Sequence, residues 1–228
     1  MHCEQRARCA ERRAVVAPHA GAVTYFTASG VVEGRAADAE SERGQHMERR
    51  HFTRMDESGQ EQWMYILAET QAAQHNVPKE ILRMLRSLDG VYAGFGVSQL
   101  HHALQTATMA RKDNAPDEMV LAALCHDIGK AISIPNHAEI GASIVRKYVS
   151  NDTYQILLTH QDFQGRHYYE FFGQPGNLRE RHKHEPWFAA AETFTDVWDQ
   201  AAFDPAYKVL PLAEFEPLVE QFFGSFKM

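Results

Sequence analysis

Residues 122–130 read AALCHDIGK, an apolar helical run that ends in a histidine beside an aspartate. Neighbours on a helix point about 100° apart, so His126 and Asp127 cannot pair as residues three or four apart do. Two polar side chains at a buried helix end need a partner, and a metal centre offers both the same one. Other apolar segments carry groups of the same kind. His102 sits among Leu100, Ala103, Leu104 and Ala107, and His137 opens a helix. His160 follows Ile156, Leu157 and Leu158, and Asp199 follows Phe194, Val197 and Trp198. Imidazole and carboxylate suit iron, manganese, zinc or cobalt. Two cations about 3.5–4 Å apart need a bridging ligand. Asp127 has two oxygens and can bridge, while His126 beside it can bind one ion. A single histidine on an apolar face is ordinarily a satisfied core residue. Five helices each burying such a group unpaired would cost several kcal/mol, so a shared site is the better reading.

These groups must be positioned by helices. From Met55 onward the signals are almost all helical: GQEQWMYILAETQAAQHN is closed by Pro78, and KEILRMLRSLDG is closed by Gly90. SQLHHALQTATMARK has Ser98 as its N-cap. APDEMVLAALCHDIG opens on Pro116 and two acids and runs to Gly129. NHAEIGASIVRKYV begins after Asn136, SNDTYQILLTHQDF after Ser150 or Asn151, and EPWFAAAETFTDVWDQAAF runs to Pro205. LAEFEPLVEQFF closes the chain. No stretch alternates as hairpin strands do, so the expected fold is an all-α bundle.

Bulk properties narrow the function. The chain has 228 residues, a net charge of −7 and 44% hydrophobic residues. That suits one domain with a full core, or a domain plus a tail. The acidic balance and the lack of a basic helix face argue against a nucleic-acid polymer as partner. No apolar run approaches 18 residues, so no membrane span is expected. Three cysteines without a CxxC point to a reducing cytoplasm. Residues 1–54 are rich in alanine, glycine and arginine, and the first lysine is Lys79. They read as a disordered tail, or as sequence upstream of a true start at Met47 or Met55. The ordered domain is then residues 55–228. Oligomeric state is not legible.

The pattern H…HD…H…H…D, carried by His102, His126-Asp127, His137, His160 and Asp199, resembles the HD-domain superfamily over about residues 90–223. The resemblance implies a helical bundle with a dinuclear site. One metal would take His102, His126, Asp127 and Asp199; the other would take Asp127 as bridge, with His137 and His160. Asp196 is the competing choice for the last ligand. Most members of this superfamily resemble phosphohydrolases. A smaller branch is similar to myo-inositol oxygenase and the phosphonate-cleaving oxygenases, which use a mixed Fe(II)/Fe(III) pair and O₂. YAGFGVSQLHHALQTA, the spacing from His102 to His126, HDIGK and the segment from Trp198 to Phe223 resemble that branch. On it, Lys130 would touch a substrate oxygen and Tyr92 would be the lid tyrosine. Two positions depart from it: Phe95 stands where the phosphonate oxygenases have glutamate, and His101 where they have another.

The expected activity is therefore O₂-dependent oxidation or cleavage of a small hydroxylated substrate, a phosphonate or a polyol, by two metal ions, preferably iron. The rival is a phosphohydrolase acting on a phosphomonoester or nucleotide with manganese, cobalt, zinc or magnesium. A non-catalytic binding module is the third reading. Lys130 lies four residues after His126 and either serves an anionic oxygen on the metals or is a solvated lysine at a helix end. Gln161 and His167 are candidate pocket residues, and Gly141 a candidate point of close helix approach. His182 and His184 sit in the polar run RERHKHE and read as solvated. Tyr168, Tyr169, Phe171 and Phe172 read as core or pocket wall.

Overall fold

The computed structural model describes residues 22–27, 30–35 and 52–224. The chain divides into two compact units, Met1–Glu69 and Thr70–Met228. In the first, strand β1 (Ala22–Thr27) pairs antiparallel with β2 (Gly30–Arg35), with Ala22 opposite Arg35 and Thr27 opposite Gly30. This hairpin falls in the stretch expected to lack regular structure. That expectation rested on composition averaged over residues 1–54, which hides the β-branched and aromatic run Val-Thr-Tyr-Phe-Thr. The rest of that stretch, apart from residues 52–54, lies outside the described residues.

The second unit is helical among its described residues. Helix α1 (Gln60–Ala73) begins in the first unit; α2 (Val77–Ser87) follows a short 3₁₀ turn. Pro78 occupies the first turn of α2, where its missing N–H is harmless. Then come α3 (Gln99–Lys112), α4 (Asp117–Cys125), α5 (His137–Val145) and α6 (Asn151–Gln164). Ser98 and Ser150 cap α3 and α6 by accepting from the N–H groups of His101 and Thr153. Helix α7 (Phe188–Thr193) passes into a π-helical turn over Phe194–Asp199, and α8 (Glu216–Phe223) ends the described chain.

Several helices stop earlier than their patterns suggest, two of them at the histidine and aspartate cluster. α4 ends at Cys125 rather than at Gly129, and the last long helix ends at Asp199, well before Pro205. In both cases the apolar run continues into a tighter or wider turn that keeps the side chains buried while re-aiming them. Periodicity cannot distinguish this from more α-helix. Leu85, Leu88, Leu121, Leu124, Leu157, Phe163, Phe194 and Phe215 form the centre of the core. Cys125 is among these buried residues, and burial pushes its thiol up to about 12, as for an inert core residue. No helix among the described residues is long and apolar enough to cross a membrane.

Candidate metal centre

The six side chains of the histidine and aspartate pattern converge. They come from α3, the turn after α4, the start of α5, the third turn of α6 and the end of the π-helical turn. All are buried, with His126 and Asp199 at 0% exposure. Each imidazole is fixed by its Nδ1–H, which donates to a backbone carbonyl. His102 donates to Ala202 at 3.0 Å and His126 to Ala123 at 2.9 Å. His137 donates to Ile134 at 2.7 Å and His160 to Leu157 at 2.6 Å. That choice of tautomer leaves all four Nε2 lone pairs facing inward, the arrangement in which histidines ligate metal.

The inward atoms form two groups that share Asp127. Around its Oδ2, His102 Nε2 lies at 3.5 Å and His126 Nε2 at 3.4 Å, and the same two nitrogens lie 3.1 and 3.3 Å from Asp199 Oδ1. Around its Oδ1, His137 Nε2 lies at 3.0 Å and His160 Nε2 at 3.7 Å. Three overlapping triplets, His102-His126-Asp127, His126-His160-Asp199 and Asp127-His137-His160, are compact enough to hold a metal ion.

The electrostatics fit a cation. His102 Nε2 and His126 Nε2 face each other at 3.1 Å, and both oxygens of the buried Asp199 lack a hydrogen-bond donor. With both rings neutral, opposed lone pairs and an unsatisfied buried carboxylate would each be costly. A positive charge between them, a proton or a metal ion, removes both costs. For His126 burial opposes protonation, but Asp127 and Asp199 outweigh it and push the imidazole up to about 10. Burial likewise opposes ionisation of both aspartates, and is outweighed: His126 with Lys130 holds Asp127 well below its ordinary value, and His126 with His102 does so for Asp199. His160 is shifted down, chiefly by burial, which keeps it neutral.

The other candidates fall on either side. Lys130 Nζ donates to Asp127 Oδ2 at 2.5 Å and to Gln99 Oε1 at 2.7 Å, so it belongs to the cluster and is not a solvated end residue. Tyr92 is not brought in: it is exposed on the loop before α3, where Ala93 and Phe95 supply the cavity wall instead. Asp196 turns away from the cluster. It receives a bidentate pair from Arg179 at 2.7 and 2.9 Å, and of the two aspartates it is Asp199 that faces the cluster. Gln161, His167, Tyr168 and Phe172 do line the adjacent cavity. His182 is not simply solvated: its Nε2 meets Asp162 Oδ2 at 2.9 Å, with its ring stacked on Phe163. Gln99 and Gln164 escaped the sequence reading. Gln164 had a signal, being one helical turn beyond His160 and so on the same face.

Arg179 is buried and also donates to the Phe163 carbonyl at 3.3 Å, tying the end of α6 to the turn that carries Asp199. Arg179→Met is expected to destabilise the fold by about 1–3 kcal/mol, since it leaves polar partners unpaired. Urea denaturation measures this; an unchanged midpoint would show the pair to be ornamental.

Residues 99–193 match the family model described as HD domain. The match supports placement in the HD-domain superfamily and, with the His/Asp clusters, points to a metal-dependent enzyme. It starts at the first residue of α3 and ends before Asp199, so the sixth member of the cluster is recruited by folding beyond the matched segment. A search of curated proteins returns no match.

Proposed function

We propose that this protein holds two metal ions, iron by preference, and uses O₂ to oxidise or cleave a small hydroxylated substrate. The observation that supports this is the donor set. Four imidazole Nε2 atoms and two carboxylates converge, with one oxygen of Asp127 in each half. His102, His126, Asp127 and Asp199 would hold one ion, and Asp127, His137 and His160 the other. So many nitrogens favour iron and its neighbours over magnesium or calcium. When bound, a mixed-valent iron pair supplies positions for a substrate oxygen and O₂ and the redox capacity to break a C–H bond.

The chain's own residues set the stage for that chemistry. The backbone carbonyls lock the four rings. Phe203 stacks on His102 at 4.4 Å and Phe95 on Phe203 at 4.8 Å, and together they keep water from that flank. Lys130, oriented by Gln99, keeps a positive charge beside the bridging carboxylate and on the cavity wall. There it can stabilise an oxygen that gains negative charge.

Lys130 also favours a second reading, a phosphohydrolase using manganese, cobalt, zinc or magnesium, because a cation at this point suits a phosphate oxygen. Protein purified without oxygen separates the two. Two irons per chain, a mixed-valent EPR signal and substrate-dependent O₂ uptake are expected. Hydrolysis of a generic phosphate ester with Mn²⁺ or Co²⁺, without O₂ uptake, would reverse the order.

The sign of the pH dependence follows from His126. In metal-free protein, an imidazole raised from 6.5 to about 10 contributes stability that is complete below pH 6.5 and lost as pH rises toward 10. The melting temperature of chelated protein should therefore fall from pH 7 to pH 9. Metal-loaded protein should not follow, because a proton is no longer what faces the carboxylates. Parallel falls in both forms would count against metal binding at His126.

A further inference from the structure

Beside the ligand cluster lies a cavity of about 680 Å³, large enough for a small metabolite. Lys130 and His137 join it to the cluster. The lining is otherwise largely apolar, with Phe95, Ile134, Phe172 and Phe203, and carries the neutral polar side chains Gln161, Gln164, Tyr168 and Gln200. Apart from His137 and the exposed His167, Lys130 is the basic side chain on this wall among the described residues, and Asp127 already offsets its charge at 2.5 Å. Arg166 and Arg179 are paired with Asp196 instead.

The neutral groups have hydrogen-bonding capacity to spare. Gln200 Nε2 donates to the Asp196 carbonyl at 2.9 Å, which leaves its Oε1 as an acceptor. The side chains of Gln161 and Gln164 make no hydrogen bond within the described residues, so each keeps two N–H donors and an oxygen. Tyr168 adds a hydroxyl that remains protonated, because burial, then the neighbouring Tyr169, raises it. Its ring is set edge-on against Tyr169 at 4.9 Å. Tyr169 in turn occupies the space that a side chain at Gly165 would need, 2.8 Å from its ring carbon.

We propose that the part of the substrate lying beyond its metal-binding group is uncharged and rich in hydroxyl or amide groups, and that Gln161, Gln164, Tyr168 and Gln200 select it. This rests on the metal-site reading above but not on the choice between oxygenase and hydrolase. An anionic group placed against this wall would lose its water without meeting a cation, whereas a hydroxyl exchanges hydrogen bonds one for one. The amides both donate and accept, as a hydroxyl requires and a carboxylate or phosphate does not.

Two six-carbon sugar acids provide the test. D-gluconate and D-glucarate share one carboxylate and a chain of hydroxyls, and differ in whether the far end is a hydroxyl or a second carboxylate. Their binding to the full chain loaded with Mn²⁺ is measured by calorimetry under nitrogen, so neither O₂ nor turnover enters. Gluconate is expected to bind at least about tenfold more tightly. Gln164→Lys, which places a cation on the neutral wall, should shrink or invert that ratio, and Gln161→Lys should act in the same direction. Equal binding of the two acids, tighter binding of glucarate, or binding of neither would overturn the proposal. A gluconate preference without O₂ uptake on any substrate would sink the oxygenase reading alone, and O₂ uptake with a glucarate preference this inference alone.

Discussion

Asp127→Ala is expected to lose both metal ions and all measurable activity, because it removes the one side chain that contacts both halves of the cluster. Its Oδ2 faces His102 and His126, its Oδ1 faces His137 and His160, and Lys130 leans on it as well. The other aspartates are already engaged: Asp199 faces His102 and His126, and Asp196 is held by Arg179. The effect on stability should be as plain as that on activity. An ion present at about a thousand times its dissociation constant stabilises the folded state by about 4 kcal/mol. For a chain of this size that is on the order of 10 °C in melting temperature. Wild-type protein should lose that increment on chelation, and Asp127→Ala should show no difference with and without chelator. Stoichiometric metal retained by the variant, read by elemental analysis, would contradict the bridging role.

Gly129→Ala should be the most damaging substitution outside the ligands. A Cβ on Gly129 would collide with the carbonyl oxygen of His137 and lie 2.8 Å from its Cα. The obstacle is backbone, so nothing can rotate away. The start of α5 would have to move, carrying His137 with it. Gly141→Ala is the companion case, its Cβ falling 2.8 Å from the His126 carbonyl oxygen. Overpacking of this kind costs about 1–3 kcal/mol or more, and here the displaced atoms belong to two residues of the cluster. Both variants should therefore melt lower and also bind metal more weakly than their lost stability accounts for. A variant that melts lower but titrates with wild-type metal affinity would show that the helix shifts without disturbing the cluster. At Gly141 the sequence hinted at this, through its place one turn after His137. At Gly129 it suggested only a helix end, because the backbone it must clear is eight residues away.

Much of the site was legible because its chemistry conflicts with its surroundings. A histidine or aspartate within an apolar helical run must find a partner, and six of them scattered over five segments can satisfy one another only by meeting. The helical fold was legible for a related reason, since the apolar period of 3.6 persists through most of the chain after Met55. The hairpin over Ala22–Arg35 was missed because its strands are short and sit in a composition dominated by other residues.

What the sequence determined by itself is the inventory of histidines and aspartates and the helices that deliver them, since residue type and periodicity are local properties. Tertiary structure decided the rest. It turned Asp199 rather than Asp196 into the cluster, the latter being held outside it by Arg179 and Arg166. It set the four imidazole tautomers through carbonyls, one of them, Ala202, from across the fold. It placed Lys130 in the cluster and left Tyr92 outside. Each of these depends on which atoms meet through space, and the direction a side chain takes at a helix end or in a loop leaves no periodic trace along the chain.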